Sequence, residues 1–331
     1  MSSGIKVFAP ASVANLACGY DVLGLALERP GDEIILRKSD TKGLKITSIT
    51  GADRPLPKDI DKNTAGVAAV SLLEHIGMQD IGIEMEIHKK MPSGSGLGSS
   101  AASAAAAVWG INNLLHLGMT KRELLPFAVL GEQSADGAFH ADNVAPSLMG
   151  GIIFIRDNAT LDVFKLPYIQ GLYLAMVHPA LTILTKDARS IIAPDVTLQQ
   201  HIQQSGNLAA FILATYTSDI NLLYRCMNDV IIEPQRASLI PHFYEVKDAA
   251  KQKGAIGCSI SGAGPSIFAL CDNSLIAEEA AKAMADVFIK NKIEATYFTS
   301  KINHEGAIVF LIIYSNHEIY KYKRTQYQIF L

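Results

Sequence analysis

The order of apolar and polar positions along the chain divides it into short strands and longer helices. Runs in which apolar and polar residues alternate, or in which a short apolar block lies between turn residues, predict β-strands. Apolar residues at three- and four-residue spacing predict helices. The predicted strands are residues 5–9, ended by Pro10, and residues 33–37, 44–49, 81–89, 150–155, 172–177 and 266–271. The predicted helices are residues 65–76, 101–117, 121–134, 209–229, 244–253 and 276–292.

These elements indicate an α+β fold with two domains. Helices and half-buried, alternating strands are mixed along the chain, which favours a two-layer arrangement over a doubly wound parallel sheet. Polar residues and a proline interrupt the pattern between residues 157 and 171, where we place the boundary. The predicted division is an N-terminal domain over residues 1–160, a C-terminal domain over 161–309, and an extension of unknown role over 310–331.

Composition excludes several classes of function. Hydrophobic residues make up 49% of the 331 residues, enough for a substantial core. The net charge of −3 and the scattered basic residues give no sign of nucleic-acid binding; the one basic cluster lies near the end, at Lys321, Lys323 and Arg324. Four isolated cysteines argue against a zinc site or disulfides, and no signal peptide or long apolar run is visible. We therefore expect a cytoplasmic protein that does not contact membranes.

The strongest chemical signal is the glycine- and serine-rich stretch from Pro92 to Ala102. It precedes an alanine-rich run that should form a helix. A flexible loop that enters a helix N-terminus presents unpaired N–H groups and a favourable dipole to an anion. The ordinary alternative is a turn before a buried helix. The stretch lacks the lysine of a Walker loop and the spacing of a dinucleotide fingerprint.

Other polar groups stand out in apolar surroundings, and each suits an ordinary structural role when taken alone. Asn15 and Asp21 suit a turn, His140 suits a structural position, and Arg189 and Arg236 suit the surface. Asn63 precedes a predicted helix and suits an N-cap. Arginine, however, binds carboxylates through two parallel hydrogen bonds, which lysine does not imitate.

The stretch from Pro92 to Ala102 resembles the phosphate loop of the GHMP kinases, and the resemblance runs from about Lys6 to Val309. Residues 9–24 and 140–146, and segments around Arg189 and Arg236, resemble motifs of the homoserine kinases within that superfamily. The resemblance implies a ribosomal-protein-S5-like N-terminal domain, a ferredoxin-like C-terminal domain and an active site between them. Relatives usually end near Val309, so the resemblance says nothing about the remaining residues.

The resemblance also implies roles for individual residues. ATP would contact the loop and, near the adenine, Asn63. Mg²⁺ would be held by Ser100 and Glu132, which with Asn143 form the implied catalytic set. The implied ATP-binding residues are Asn63, Pro92, Ser93, Gly94, Ser95, Gly96, Leu97, Gly98, Ser99 and Ser100. The implied substrate-binding residues are Asn15, Asp21, His140, Asn143, Thr185, Arg189, Arg236 and Gly262.

The implied reaction is phosphorylation of the side-chain hydroxyl of L-homoserine by MgATP, a step that serves threonine synthesis. Several other GHMP kinases carry an aspartate suited to act as a base where this chain has Asn143, so no carboxylate base is evident. Two alternatives stay open: a GHMP kinase for another small alcohol, and an inactive nucleotide-binding regulator on the same fold. By analogy with relatives, a homodimer is possible.

Overall fold

Two β-sheets organise the chain, and the computed structural model describes residues 4–137, 139–315 and 318–323. The strands of the larger sheet are β1 (Gly4–Ala14), β2 (Leu23–Lys38), β3 (Leu44–Thr50), β4 (Ile83–His88), β5 (Ile152–Asp157), β6 (Asp162–Leu166), β11 (Ile308–Ser315) and β12 (Glu318–Lys323). The strands of the smaller sheet are β7 (Tyr173–Pro179), β8 (Gly257–Ile260), β9 (Ile267–Cys271) and β10 (Ala295–Lys301).

Both sheets are largely antiparallel. The larger one runs β12-β11-β1-β2-β4-β3, with β5 paired to β2 and β6 paired to β5. Only its β3–β4 pair is parallel among the described strands. The smaller sheet runs β10-β7-β9-β8. The last strands of the chain return to the first, since Val309 of β11 lies opposite Val7 of β1.

Helices pack against these two sheets. They are α1 (Thr64–His75), α2 (Ser99–Leu114), α3 (Lys121–Asp136), α4 (Val144–Met149), α5 (Thr185–Ser190), α6 (Leu198–Thr217), α7 (Ile220–Cys226), α8 (Glu233–Arg236), α9 (Phe243–Gln252) and α10 (Ser274–Lys290). Helix α2 packs on β1, β2, α1 and α3, and its alanines are fully buried, because small side chains let backbones approach closely.

The helix ends follow the sequence signals closely. Thr120 caps α3 in a capping box, its hydroxyl accepting from the Glu123 N–H while Glu123 accepts from the Thr120 N–H. Asn63 caps α1 by accepting a hydrogen bond from the Ala65 N–H at 3.1 Å. Helix α2 begins at Ser99, two residues before the predicted start, and its N-cap is Gly98.

Three predicted elements were wrong in extent. The strand predicted over residues 33–37 is only the second half of β2, which begins at Leu23. Pro10 does not end the first strand; β1 passes through it to Ala14, because a register shift between Pro10 and Ser12 accommodates a residue without an N–H. The predicted helix over 209–229 is two helices, α6 and α7. Ser218 adopts a left-handed backbone with φ of 56°, and the Asp219 carboxylate accepts from the Leu222 N–H to begin α7.

The predicted division into residues 1–160, 161–309 and 310–331 stays a prediction. The second sheet does begin after residue 171. The predicted extension begins inside β11, which pairs with the first strand of the chain. Arg324 and the residues after it, including the end of the basic cluster, lie outside the described residues.

Candidate active site

A cleft of about 500 Å³ lies where the N-terminus of α2 meets turns from both sheets. It brings together residues that are up to about 250 positions apart in sequence, from Asn15 to Gly264. Every predicted site residue lines it except Leu97, whose side chain is 2% exposed and packs in the core. The assignment of Leu97 to ATP binding stays a prediction, and it concerns the backbone of the loop because the side chain lies in the core.

The loop before α2 presents its backbone to the cleft. Gly94, Gly96 and Gly98 all have left-handed φ values, of 63°, 77° and 66°. A Cβ on Gly98 would lie 2.1 Å from the Ser12 hydroxyl oxygen, so no side chain fits there. The first turn of α2, whose N–H groups have no partner within the helix, lies at the cleft, which Gly98, Ser99 and Ser100 line.

Hydrogen bonds from residues of both sheets, or of the turns beside them, fix the backbone of this loop. The Ser12 N–H from β1 donates to the Leu97 carbonyl at 3.0 Å. From the second sheet, the Ser261 hydroxyl donates to the Gly96 carbonyl at 2.7 Å, and the Ser266 N–H donates to the Ser95 carbonyl at 3.1 Å.

The side-chain hydroxyl of Ser95 is buried without a hydrogen-bond partner among the described residues. An unpaired buried hydroxyl is costly, so this atom suits an incoming polar ligand.

A buried ion pair lies behind the loop, and sequence analysis missed it. The Lys89 ammonium bonds to the Asp32 carboxylate, to the Ser99 carbonyl at 2.9 Å and to the Ser103 hydroxyl at 2.8 Å. Asp32 is fully buried and also accepts from the Ser99 hydroxyl at 2.9 Å. The pair therefore fixes the first turn of α2. In the sequence, the only features that could have indicated this ion pair are an acidic residue within β2 and a lysine directly after β4.

Ser100 and Glu132 meet across α2 and α3. The Ser100 hydroxyl donates to a Glu132 carboxylate oxygen at 2.7 Å, in the same cleft as the loop. Hydroxyl and carboxylate oxygens are the ligands that a hard cation such as Mg²⁺ prefers. Among the described residues no group of three or more His, Cys, Asp or Glu could hold a metal.

The turn after β1 presents Asp21 to the other end of the cleft. Asn15 has a φ of 74° and Asp21 a φ of 58°, and the Asp21 N–H donates to the Asn15 side-chain oxygen at 3.1 Å. The Asp21 carboxylate accepts two hydrogen bonds from Arg189, at 3.1 and 3.2 Å. His140 lies beside both, with its Nδ1 2.9 Å from Arg189. Burial opposes the charge on Arg189, but its bonds with Asp21 raise its pKa above the ordinary value.

Arg236 is a buried cation that is hydrogen-bonded to neutral groups. Its side chain is 3% exposed and donates to the Ala188 carbonyl at 3.0 Å, the Gly262 carbonyl at 3.0 Å and the Tyr20 hydroxyl at 3.2 Å. No carboxylate of the described residues lies within ion-pair distance of it, and burial lowers its pKa. Its position in the cleft therefore favours an anionic ligand.

Further residues complete the cleft. The Asn143 side-chain oxygen accepts from the Ser12 hydroxyl at 2.9 Å, next to Gly98. Asn63 already uses its amide within the fold, donating to the Pro57 carbonyl at 2.9 Å. Thr185 begins α5 and lines the cleft beside Ile183 and Lys186.

The cleft also contains residues to which sequence analysis assigned no role. They are Tyr20, Asp142, Arg54 and Lys186. Tyr20 and Asp142 lie within the two motifs at residues 9–24 and 140–146 that carried the family resemblance.

The chain is similar to known proteins over most of its length. Residues 63–151 match the GHMP kinases N terminal domain, and residues 209–290 match the GHMP kinases C terminal domain. The chain is 44% identical to the homoserine kinase of Chlorobium phaeovibrioides over 92% of this chain and 98% of that protein. It is 42% identical to the homoserine kinase of Chloroherpeton thalassium, with 91% and 97% covered.

Solved structures show the same fold. A crystal structure of homoserine kinase from Cytophaga hutchinsonii is 49% identical, covers 92% of this chain and 97% of its own, and superposes with a TM-score of 0.90. The mevalonate kinase of L. major, at 18% identity and a TM-score of 0.69, shares the fold. The predicted two-domain α+β architecture is thereby confirmed. In the described part of the chain no helix is long and apolar enough to cross a membrane. This chain belongs to the homoserine kinases, within the GHMP kinase family, whose members use ATP.

Proposed function

We propose that this protein transfers the γ-phosphoryl group of ATP to the side-chain hydroxyl of L-homoserine, which yields O-phospho-L-homoserine and ADP for threonine synthesis. One observation carries the proposal: a single cleft joins an anion-binding loop to a set of opposite charges. Asp21 suits an ammonium group, and Arg236 suits a carboxylate. Neither a sugar nor mevalonate needs that combination of charges.

Different residues of the cleft bind ATP, Mg²⁺ and the two charged ends of homoserine. The backbone N–H groups of the loop and of α2 hold the ATP phosphates. Ser100 and Glu132 would hold Mg²⁺, which, when bound, supplies neutralisation of phosphate charge. Asn15 and Asp21 orient the amino end of homoserine, and His140 lies beside Asp21. Arg189 and Arg236 orient its carboxylate, with Thr185 and Gly262 close by.

No side chain in the cleft needs to act as a strong base. Asn143 has an amide, which does not accept a proton at neutral pH, and its oxygen is already hydrogen-bonded to Ser12. Phosphoryl transfer proceeds through a loose transition state, which does not require strong activation of the attacking hydroxyl by a base. Positioning of the two substrates and stabilisation of charge therefore supply most of the acceleration.

A substrate panel tests the proposal directly. ADP release with MgATP is compared for L-homoserine, D-homoserine, L-threonine, mevalonate and galactose. We expect turnover with L-homoserine at least about 100-fold above that with the other alcohols. Mevalonate and galactose lack the ammonium group, and D-homoserine and L-threonine carry both charges but hold the hydroxyl in a different position relative to them. Turnover on another alcohol would favour a different GHMP kinase activity. Tight ATP binding without turnover on any alcohol would favour an inactive regulator.

Arg236→Leu should raise the KM for L-homoserine by about 10-fold or more, because the substrate carboxylate loses charge-assisted hydrogen bonds. The KM for ATP should stay close to that of the wild type, which also shows that the fold survives. Arg225→Leu is the matched control, since Arg225 is exposed on α7. An unchanged KM for L-homoserine in Arg236→Leu would remove this residue from the substrate site.

A further inference from the structure

Tyr20 lies against both arginines of the cleft. Its ring centroid is 5.7 Å from the guanidinium carbon of Arg189 and 4.9 Å from that of Arg236. An aromatic face attracts cations, so this one ring stabilises two guanidinium groups that repel each other. Tyr20 therefore keeps two positive charges in the same part of the cleft, which is an arrangement that suits an anionic ligand and not a cationic one.

The hydroxyl of Tyr20 has a hydrogen to donate. Its oxygen accepts a hydrogen bond from the Arg236 Nη2 at 3.2 Å, because a guanidinium group only donates. A phenol also carries one hydrogen of its own, and no group among the described residues accepts it. Burial raises the pKa of Tyr20 above its ordinary value, so the hydroxyl stays protonated at neutral pH. Arg236 thus fixes the position of the oxygen and leaves the donor unused.

The surroundings of this hydroxyl select the kind of acceptor that it can meet. Tyr20 is half-buried and lines the cleft together with Asp21, Arg189 and Arg236. The Asp21 carboxylate already accepts two hydrogen bonds from Arg189, at 3.1 and 3.2 Å. A ligand group that reaches the hydroxyl also reaches Arg236, which repels ammonium groups and attracts carboxylates. The unused donor therefore suits an oxygen of an anionic ligand.

We propose that Tyr20 donates its hydroxyl hydrogen to the carboxylate of the amino-acid substrate, and so helps to select substrates that carry this group. The inference rests on the proposed function, since it takes L-homoserine as the ligand of the cleft. A hydrogen bond to a carboxylate is shorter and stronger than one between neutral groups. Tyr20 supplies such a bond without adding a third positive charge beside Arg189 and Arg236.

Tyr20→Phe tests the contact, because it removes one oxygen and keeps the ring against both guanidinium groups. Binding of L-homoserine is measured by calorimetry, and KM values are taken from ADP release. We expect the Kd and the KM for L-homoserine to rise about 10-fold, the usual effect of losing a hydrogen bond to a charged group. The KM for ATP should stay close to that of the wild type. The loss should appear in KM much more than in kcat, because the carboxylate does not react.

A ligand without the carboxylate separates this contact from a general disturbance of the cleft. Propanolamine, in which a hydrogen replaces the carboxylate of homoserine, keeps the ammonium and hydroxyl groups. Its inhibition constant against L-homoserine should be the same in the wild type and in Tyr20→Phe. If the substitution weakened both ligands equally, it would act on the shape of the cleft, and the proposal would be wrong.

Near-ultraviolet difference spectra show whether the hydroxyl itself donates. A phenol that begins to donate to a carboxylate absorbs at longer wavelength, so L-homoserine should shift the tyrosine absorption of the wild type. The shift should be absent in Tyr20→Phe, and absent when propanolamine replaces L-homoserine. A weaker Kd in Tyr20→Phe without such a shift in the wild type would mean that Tyr20 acts only through Arg236, which contradicts the direct contact.

Tyr168→Phe is the matched control. Tyr168 is half-buried like Tyr20 but lies outside the cleft, so this variant should bind L-homoserine as the wild type does. Circular dichroism shows that both variants fold. Wild-type turnover on L-homoserine together with an unchanged Kd in Tyr20→Phe overturns this inference alone. Absence of that turnover in the wild type overturns the proposed function and this inference with it.

Discussion

Glu132→Gln should lower kcat/KM for ATP by about 10²- to 10³-fold, the usual scale for loss of one group that stabilises transition-state charge. The substitution removes the negative charge beside Ser100 but keeps an oxygen that accepts the Ser100 hydrogen bond, found at 2.7 Å. Because a neutral amide is a weak ligand for a hard cation, the variant should also need much more Mg²⁺ for half-maximal rate. Initial rates of ADP release across a Mg²⁺ titration measure both effects.

The matched control is Glu74→Gln, since Glu74 is exposed on α1, outside the cleft. It should behave as the wild type at every Mg²⁺ concentration. Should Glu132→Gln follow the same curve as this control, Glu132 would have no part in holding the cation. Binding of L-homoserine, followed by calorimetry, should change little in either variant.

Asp32→Asn should lower the free energy of unfolding by about 3–5 kcal/mol, because it leaves the Lys89 ammonium buried without its counter-charge. Lys89 is 6% exposed and Asp32 is fully buried, so water does not replace the lost partner. The two side chains also hold Ser99 and Ser103 in the first turns of α2, so activity should fall with stability. Urea unfolding monitored by circular dichroism measures the change.

Two further variants isolate the charge effect. Asp32→Asn/Lys89→Met removes both charges and should recover much of the lost stability, since a buried pair contributes little over apolar residues of similar size. Asp59→Asn breaks an ion pair with Lys62 that is exposed by 66% on each side, and should cost less than about 1 kcal/mol. Equal losses for Asp32→Asn and Asp59→Asn would contradict a buried charged pair.

Sequence predicted best what is encoded locally. The loop from Pro92 to Ala102 is continuous in sequence, and its glycines adopt the left-handed angles that only glycine tolerates well. The capping box at Thr120 likewise lies within four residues. The family resemblance supplied the distant members of the cleft, such as Arg236, which on local pattern alone would have been placed on the surface.

Sequence analysis missed features of the structure that depend on contacts between residues far apart in sequence. Nothing near Lys89 indicates that it pairs with Asp32, 57 positions earlier, and nothing near Tyr20 indicates that it receives a hydrogen bond from Arg236. The break between α6 and α7 depends on one residue, Ser218, in a run that is otherwise apolar at helical spacing. Pro10 continues a strand because its neighbour β2 shifts register there. Tertiary context overrode local preference in each of these cases.

The pairing of the first strand with β11 has a consequence for how the protein is made. Phe8 lies opposite Ile308, so a ribosome must add about 300 residues before β1 gains its neighbour on that side. At about 5–20 residues per second, that edge of the growing sheet stays open for tens of seconds. An open apolar edge is a template for wrong pairing with other nascent chains. Late closure of this kind leaves the nascent chain exposed to wrong pairing until β11 has been synthesised.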